Sequence, residues 1–201
     1  ELPSPLLTAS GKLTNAALVM VKITSKCGVE GHSYLFSPTA KLLPALASAA
    51  SVAFEEVKGR SCSPETNTDY LLDKFKLFGG TGILTMAFAA IDMASWDLLG
   101  RALGKPLYRL WGGTNTTIPS YESSGLSLGS FSQVLDQAET FISNGNSRMK
   151  VRLGYETVKE EVTLLSRLKD ELGDHIELMV DYNQGLTFDQ ALERCKELDD
   201  L

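Results

Sequence analysis

Four polar side chains near the ends of two predicted strands could together bind a metal ion or a charged ligand. Lys150 and Arg152 are two residues apart in MKVRL, and Asp181 and Asn183 are two apart in MVDYN. Residues two apart on a strand share a face of the sheet. One predicted β/α unit separates the pairs, so the strands should be parallel neighbours. Two cations would then face a carboxylate and a carboxamide at the carboxyl strand ends, where parallel barrels build their sites.

The same residues also fit a structural role. A Lys or Arg at a strand end opposite an Asp is often an ordinary ion pair, and by spacing alone this interpretation is favoured. Asp and Asn are also common where a strand turns into a loop, so the DxN pattern is weak evidence for a metal ligand. Neither pattern establishes a metal site unaided.

Composition and charge limit the classes of function. The chain has 201 residues, of which 43% are hydrophobic and 22% charged, as in ordinary globular proteins. Its net charge of −6 is uneven, because residues 1–114 carry +2 and residues 115–201 carry −8. The acidic second part is a poor nucleic-acid surface. The best apolar run, 83–91, is too short to span a membrane. No signal peptide is visible, and three widely spaced cysteines suit a reducing compartment, so we expect a cytoplasmic protein.

The elements that must position the four side chains follow from periodicity. In the first part, strands are predicted at 15–24 and 29–36 and helices at 38–53, 65–77 and 82–103. After Gly112-Gly113, strands are predicted at 118–123, 149–153 and 177–183, alternating with helices at 130–144, 155–172 and 187–199. The first part is therefore predicted to be α+β, and the alternation in the second predicts a parallel sheet. We place the domain boundary near 113–117.

Four segments give the chain a resemblance to the enolase superfamily, and within it to the mandelate racemase group. The stretch AFAAIDMASWDLLGRALGKPLYRLWGG (87–113) is similar to the family's signature helix, and GHSYLF (31–36) to its capping-domain hairpin. MKVRLGY (149–155) resembles the lysine strand, and MVDYNQ (179–184) the first metal-ligand strand. The resemblance implies an α+β capping domain over residues 1–114. The first part of a TIM-barrel-like (β/α) barrel, with about three β/α units, would follow over residues 115–201.

The resemblance also implies a reaction. Family members remove the proton α to a carboxylate, and Mg²⁺ stabilises the enediolate that forms. Asp181 matches the first of three acidic Mg²⁺ ligands. Lys150 and Arg152 match the catalytic lysine positions, and Ser123 and Asn183 match positions that contact the substrate. That substrate would be a small carboxylate, such as a hydroxy or sugar acid.

The capping domain contributes further candidates by resemblance. Tyr34 and Phe36 match the hairpin that closes over the substrate, and Leu6 to Leu13 match a mobile flap beside it. Domain-interface packing is the alternative explanation for these residues. The chain's two histidines, His32 and His175, are interpreted as structural or solvated.

Arg152 departs from the family pattern, which has a second lysine there. Using an arginine as a base at pH 7 would cost roughly 7 kcal/mol for deprotonation alone. We therefore expect Arg152 to bind or to stabilise charge. Several sugar-acid dehydratases of the family use a His–Asp pair from later strands as the base, so dehydration of a hydroxy or sugar acid is the favoured reaction. A racemase or cycloisomerase is the alternative.

The length of the chain gives a second departure. By resemblance, two of the three acidic ligands lie on strands beyond Leu201, so the sequence predicts a truncated piece of a larger enzyme with an incomplete Mg²⁺ site. This piece should bind Mg²⁺ poorly and be inactive alone. A non-catalytic fragment that needs a partner chain is the remaining alternative. Family members commonly form homo-oligomers, which is the expectation here.

Overall fold

The computed structural model describes residues 1–2 and 5–199. These form two compact units, one of Asn15–Thr116 and one that joins Glu1–Thr14 to Thr117–Leu201. Residues 1–2 and 5–14 therefore pack with the second part of the chain, whereas the sequence prediction assigned them to the capping domain. The predicted division at residues 1–114 and 115–201 stays a prediction.

The unit Asn15–Thr116 is built on an antiparallel hairpin. Strands β3 (Ala17–Thr24) and β4 (Glu30–Ser37) pair in full register, with Met20 opposite Tyr34 and Leu18 opposite Phe36. Burial alternates along β4, as expected for a sheet with one covered face. The covered face contains Leu35, which packs in a cluster with helix residues.

Helices α1 (Leu43–Val57) and α3 (Ile83–Leu103) cover that face of the hairpin. Helix α2 (Pro64–Lys74) packs against α1 and α3, and the short α4 (Leu107–Leu110) packs against α3. The largest cluster of the unit combines all three long helices, with Ala53, Leu71 and Phe88 buried. Gly31 of β4 lies against α3 so closely that a Cβ there would be 2.1 Å from the carbonyl oxygen of Ala94.

Helix α3 is long and apolar enough, by length and composition, to cross a membrane. The apolar run 83–91 noted in the sequence is only the first part of this helix. In the structure, Ala87, Phe88 and Ile91 of α3 are buried in the helical cluster. Burial of α3 in the core of the unit accounts for its apolar composition.

The second unit has the predicted alternation of helices and parallel strands. Its elements are α5 (Phe131–Ser143), β5 (Arg148–Arg152), α6 (Val158–Leu172), β6 (Glu177–Asp181) and α7 (Phe188–Leu198). Each of the three helices begins with a capping box, in which Ser130, Thr157 or Thr187 exchanges hydrogen bonds with a Gln or Glu three residues later.

The strand predicted at 118–123 does not form as a strand. Here the chain makes a single parallel bridge, Glu122 to Met149 of β5. Two backbone hydrogen bonds hold it, from Glu122 N to the Arg148 oxygen at 2.8 Å and from Lys150 N to the Glu122 oxygen at 2.9 Å. This segment therefore runs beside β5, where a first barrel strand would lie, but only Glu122 pairs with β5 as a strand residue does.

The predicted flap is a small antiparallel hairpin of β1 (Leu6–Thr8) and β2 (Gly11–Leu13). It belongs to the second unit, where the amide of Leu128 donates to the carbonyl oxygen of Leu7 at 3.3 Å.

Candidate active site

Strands β5 and β6 separate an apolar face from a charged one. Met149, Val151 and Leu153 are fully buried in the core that α5 and α6 complete. Lys150 and Arg152 alternate with them and therefore lie on the opposite face. The parallel register sets Arg152 directly across from Asp181. The prediction that the two strands are parallel neighbours is confirmed.

Lys150 and Asp181 meet across the two strands. Lys150 Nζ lies 2.9 Å from Asp181 Oδ2, and the side chains are only 21% and 24% exposed. The hydrogen bond from Lys150 is the largest influence on this carboxyl group and lowers its pKa. Desolvation opposes the shift, and the amide of Asn183 adds to it. The predicted convergence of the ammonium and the carboxylate is confirmed, while their catalytic and metal-binding roles stay predictions.

Asn183 closes the other side of the Asp181 carboxylate. Its backbone N–H donates to Asp181 Oδ1 at 2.8 Å, and its side-chain Nδ2 donates to Asp181 Oδ2 at 3.2 Å. Asn183 adopts a left-handed backbone with φ 46°, a conformation that Asn tolerates better than most residues. Its Oδ1 atom is buried without a hydrogen-bond partner. The carboxamide therefore keeps one free acceptor beside the carboxylate.

Arg152 holds the loop that precedes α5. The residue is 7% exposed. Its Nη2 donates to the Ser123 carbonyl oxygen at 3.1 Å, and its Nη1 donates to that of Gly125. Its Nε atom is buried without a partner. Both Nη groups are thus engaged with backbone, and a guanidinium held in this way positions the 123–125 loop and adds positive charge next to Asp181.

The donor set offers one carboxylate to a Mg²⁺ ion. Mg²⁺ prefers oxygen ligands in octahedral geometry, and Asp181 supplies a carboxylate suited to it. Within residues 1–2 and 5–199, however, no group of three or more acidic, His or Cys residues is arranged to hold a metal ion. Among these residues Asp181 therefore offers a carboxylate that suits the ion, and the incompleteness of the Mg²⁺ site stays a prediction.

The remaining predicted residues take separate positions. Ser123 offers its carbonyl oxygen to Arg152, and its contact with substrate stays a prediction. Tyr34 and Phe36 lie on the uncovered face of the β3–β4 hairpin, 58% and 42% exposed, and their role in closing over substrate is likewise a prediction. His175 precedes β6 at its amino end. His32 donates its amide N–H to Asp97 Oδ2 at 2.8 Å.

A buried carboxylate that was not predicted from the sequence lies behind the strand ends. Glu161 of α6 is fully buried and accepts hydrogen bonds from Gly154 N, Tyr155 N, the Tyr182 hydroxyl and Arg194. Burial and the bond to Glu161 both raise the pKa of Tyr182. A signal was present in the sequence, because Glu161 lies on the helical stripe that continues through Leu164, Leu165 and Leu168. A charge on an apolar stripe requires a partner.

The chain matches two family descriptions in sequence. Residues 1–112 match the mandelate racemase / muconate lactonizing enzyme N-terminal domain, and residues 133–201 match the enolase C-terminal domain-like family.

Its relatives include sugar-acid dehydratases. The chain is 29% identical over 139 residues to arabinonate dehydratase of Saccharolobus solfataricus, covering 66% of this chain and 37% of the relative. It is 27% identical over 188 residues to L-talarate/galactarate dehydratase of Salmonella typhimurium, covering 93% and 47%. Other relatives include two cycloisomerases, a racemase and an epimerase. The chain thus spans between about a quarter and a half of the length of these curated relatives.

Solved structures agree with the fold. An enolase from Bradyrhizobium, solved with magnesium and mandelic acid, superposes with a TM-score of 0.88 at 32% identity. The superposition covers 98% of this chain and 55% of that one.

Proposed function

Because the chain belongs to the mandelate racemase / muconate lactonizing enzyme family, we propose that it supplies the capping part and the first β/α units of a sugar-acid dehydratase. The observation that carries the proposal is the 2.9 Å contact between Lys150 Nζ and Asp181 Oδ2 at the carboxyl ends of adjacent parallel strands. In parallel barrels this end of the sheet is where catalytic groups are placed. The relatives from Saccharolobus and Salmonella, both named as dehydratases, support the choice of reaction.

In the proposed reaction the C–H bond α to the substrate carboxylate breaks and the proton passes to a base. The C–O bond at the next carbon then breaks, a protonated hydroxyl leaves as water, and the resulting enol tautomerises to a 2-keto acid. Bound Mg²⁺ would stabilise the second negative charge that develops on the carboxylate oxygens. Asp181 would be one of its ligands.

Three other residues of the candidate site have distinct roles in this proposal. Lys150 would place positive charge against the substrate carboxylate, since it already holds its ammonium at the same edge. Asn183 would contact the substrate through its unpaired Oδ1. Arg152 would hold the loop at Ser123 and Gly125 and contribute charge rather than accept a proton, because both of its Nη groups are engaged. The cytoplasm is the proposed location.

The test uses the protein as its gene encodes it, supplied with Mg²⁺ and a panel of sugar acids in D₂O. We expect ¹H NMR and mass spectrometry to detect a 2-keto acid and the loss of one water from at least one acid. A product of unchanged elemental composition, with deuterium at the α-carbon or a new ring, would replace this proposal by a racemase or cycloisomerase. No exchange and no product with any acid would favour a non-catalytic protein.

The Arg152→Lys variant sharpens the test. If residue 152 positions the loop and holds charge, the lysine variant should lower turnover and change the ratio of α-proton exchange to product formation. Exchange and turnover both unchanged would refute a role for this position. Arg148→Lys, on the same face of β5 at its amino end, is the matched control and should leave both values as they are.

A further inference from the structure

The tip of the β1–β2 hairpin rests on two glycines that follow the candidate strands. Gly154 lies after β5 and Gly185 after β6, and a Cβ built on either one would be 2.5 Å from the Cβ of Ala9. Real Cβ atoms do not approach this closely, so any larger residue at these positions would displace the hairpin. We call Gly154 and Gly185 the flap seat.

Ser10 ties the same tip to the candidate site. Its hydroxyl donates to the carbonyl oxygen of Asn183. Asn183 in turn holds both oxygens of Asp181 through its amide and its Nδ2. The flap tip therefore ends on the residue that orients the predicted metal ligand.

Glu161 supports both halves of the flap seat. It accepts the amide N–H of Gly154 at 2.9 Å and the hydroxyl of Tyr182 at 2.7 Å. The carbonyl oxygen of Tyr182 then accepts the amide N–H of Gly185 at 2.9 Å. One carboxylate thus connects the loop after β5 with the loop after β6.

Packing alone does not account for this cluster. The Glu161 side chain is fully buried, and its ion-pair partner Arg194 is only 10% exposed. Burying two charges is unfavourable unless good geometry compensates, and apolar residues of similar volume often serve stability as well or better. The hydrogen bonds to the loop amides are what an apolar residue at 161 would lack.

We propose that Glu161 and Tyr182 are positioning residues that fix the spacing of Gly154 and Gly185, and thereby set how firmly the flap closes beside Lys150 and Asp181. The consequence for catalysis rests on the proposed function. The docking of the flap does not, so the two can be tested apart.

Limited proteolysis measures flap opening without any substrate. Lys12 lies exposed in β2, and trypsin can cleave after it only when the hairpin opens. When opening is fast relative to cleavage, the rate follows the population of the open form. Tyr182→Phe removes only the hydroxyl that binds Glu161, and we expect cleavage after Lys12 to become about tenfold faster, the factor for losing a hydrogen bond to a charged group.

Tyr70→Phe is the matched control. It also removes one tyrosine hydroxyl that donates to a carboxylate, that of Glu56 at 3.3 Å, but both residues lie in the unit Asn15–Thr116, which does not contain the flap. Cleavage after Lys12 should stay within about twofold of the unmodified protein. Equal acceleration in both tyrosine variants, or none in Tyr182→Phe, would overturn the proposal.

Ser10→Ala provides a second, exposed substitution that leaves the core untouched. It should also accelerate cleavage after Lys12. Combining it with Tyr182→Phe should give less than the product of the two factors, because losing the bond from Tyr182 to Glu161 would shift the neighbouring Asn183 and so already weaken the contact of Ser10. Independent, multiplying factors would contradict a shared seat.

In the active protein both variants should raise KM for the acid more than they lower kcat. Absence of turnover in the unmodified protein would reject the proposed function but leave the proteolysis result to decide the flap.

Discussion

Two ion pairs join β5 and β6 at opposite ends of the strands. Their contact distances are nearly equal, but their exposure and their surroundings differ. At the amino ends of β5 and β6, Arg148 Nε lies 2.8 Å from Glu177 Oε2, and the side chains are 42% and 52% exposed. At the carboxyl ends, Lys150 Nζ lies 2.9 Å from Asp181 Oδ2, and the side chains are about half as exposed. The contact distance therefore does not distinguish an ordinary pair from a candidate site.

The surroundings do distinguish them. Beside Lys150 and Asp181, Arg152 Nε and Asn183 Oδ1 are buried without hydrogen-bond partners. Buried polar atoms are nearly always paired, and an unpaired one costs about 1–3 kcal/mol. Around Arg148 and Glu177 water can satisfy the exposed groups. Unpaired polar atoms at the less exposed end indicate where a ligand would be bound, which agrees with the division of parallel barrels into a functional carboxyl end and a stabilising amino end.

The largest expected effect comes from removing the cation at the carboxyl end. Lys150→Met should lower kcat/KM for the sugar acid by about 100- to 1,000-fold, because a preorganised positive charge no longer faces the developing negative charge. Steady-state kinetics on the protein as its gene encodes it would measure the loss. A decrease of less than threefold would mean that the two ends of the strands do not differ in function.

Arg152→Met should come next, as a loss of stability. The carbonyl oxygens of Ser123 and Gly125 would lose their guanidinium donors, and we expect the free energy of unfolding to fall by about 1–3 kcal/mol. Urea denaturation would measure this. An unchanged midpoint would show that Arg152 does not hold the loop.

Arg148→Met should have a smaller effect. The pair with Glu177 is exposed, so its loss should change the free energy of unfolding by about 0–1 kcal/mol, and less at high salt. Turnover should be unaffected. A loss of activity comparable to that of Lys150→Met would remove the contrast between the two ends.

The smallest expected effect is that of Mg²⁺ on the 201-residue chain. Because the described residues bring no group of three acidic, His or Cys side chains together around Asp181, we expect a Kd of about 1 mM or weaker, so 1 mM Mg²⁺ would stabilise the fold by no more than about 0.4 kcal/mol. Titration calorimetry and thermal unfolding with and without Mg²⁺ would measure both quantities. Micromolar affinity would show that this chain completes a metal site by itself.

Local pattern was sufficient for the centre of the candidate site. Lys150 and Arg152 share a face because strands alternate with a period of two, and Asp181 lies across from them because a β/α unit returns the chain to a parallel neighbour. The same local rules predicted the start of α3 to within one residue, since the predicted helix begins at 82 and the observed helix begins at Ile83. They failed at 118–123, where the predicted strand is reduced to the bridge at Glu122, because strand formation depends on pairing with distant residues as well as on local preference.

By itself the sequence determined the two strand pairs, their shared face and the resemblance that relates them to one family, since these depend on residue type and short spacings. Only the tertiary structure decided that Arg152 is held by the backbone of Ser123 and Gly125, that Glu161 supports two loops from behind, and that Ser10 reaches Asn183 from 173 residues away. Such contacts are made between side chains and backbone groups far apart in the chain. Their partners are selected by packing and by the need to satisfy buried polar groups, which no spacing in the sequence records.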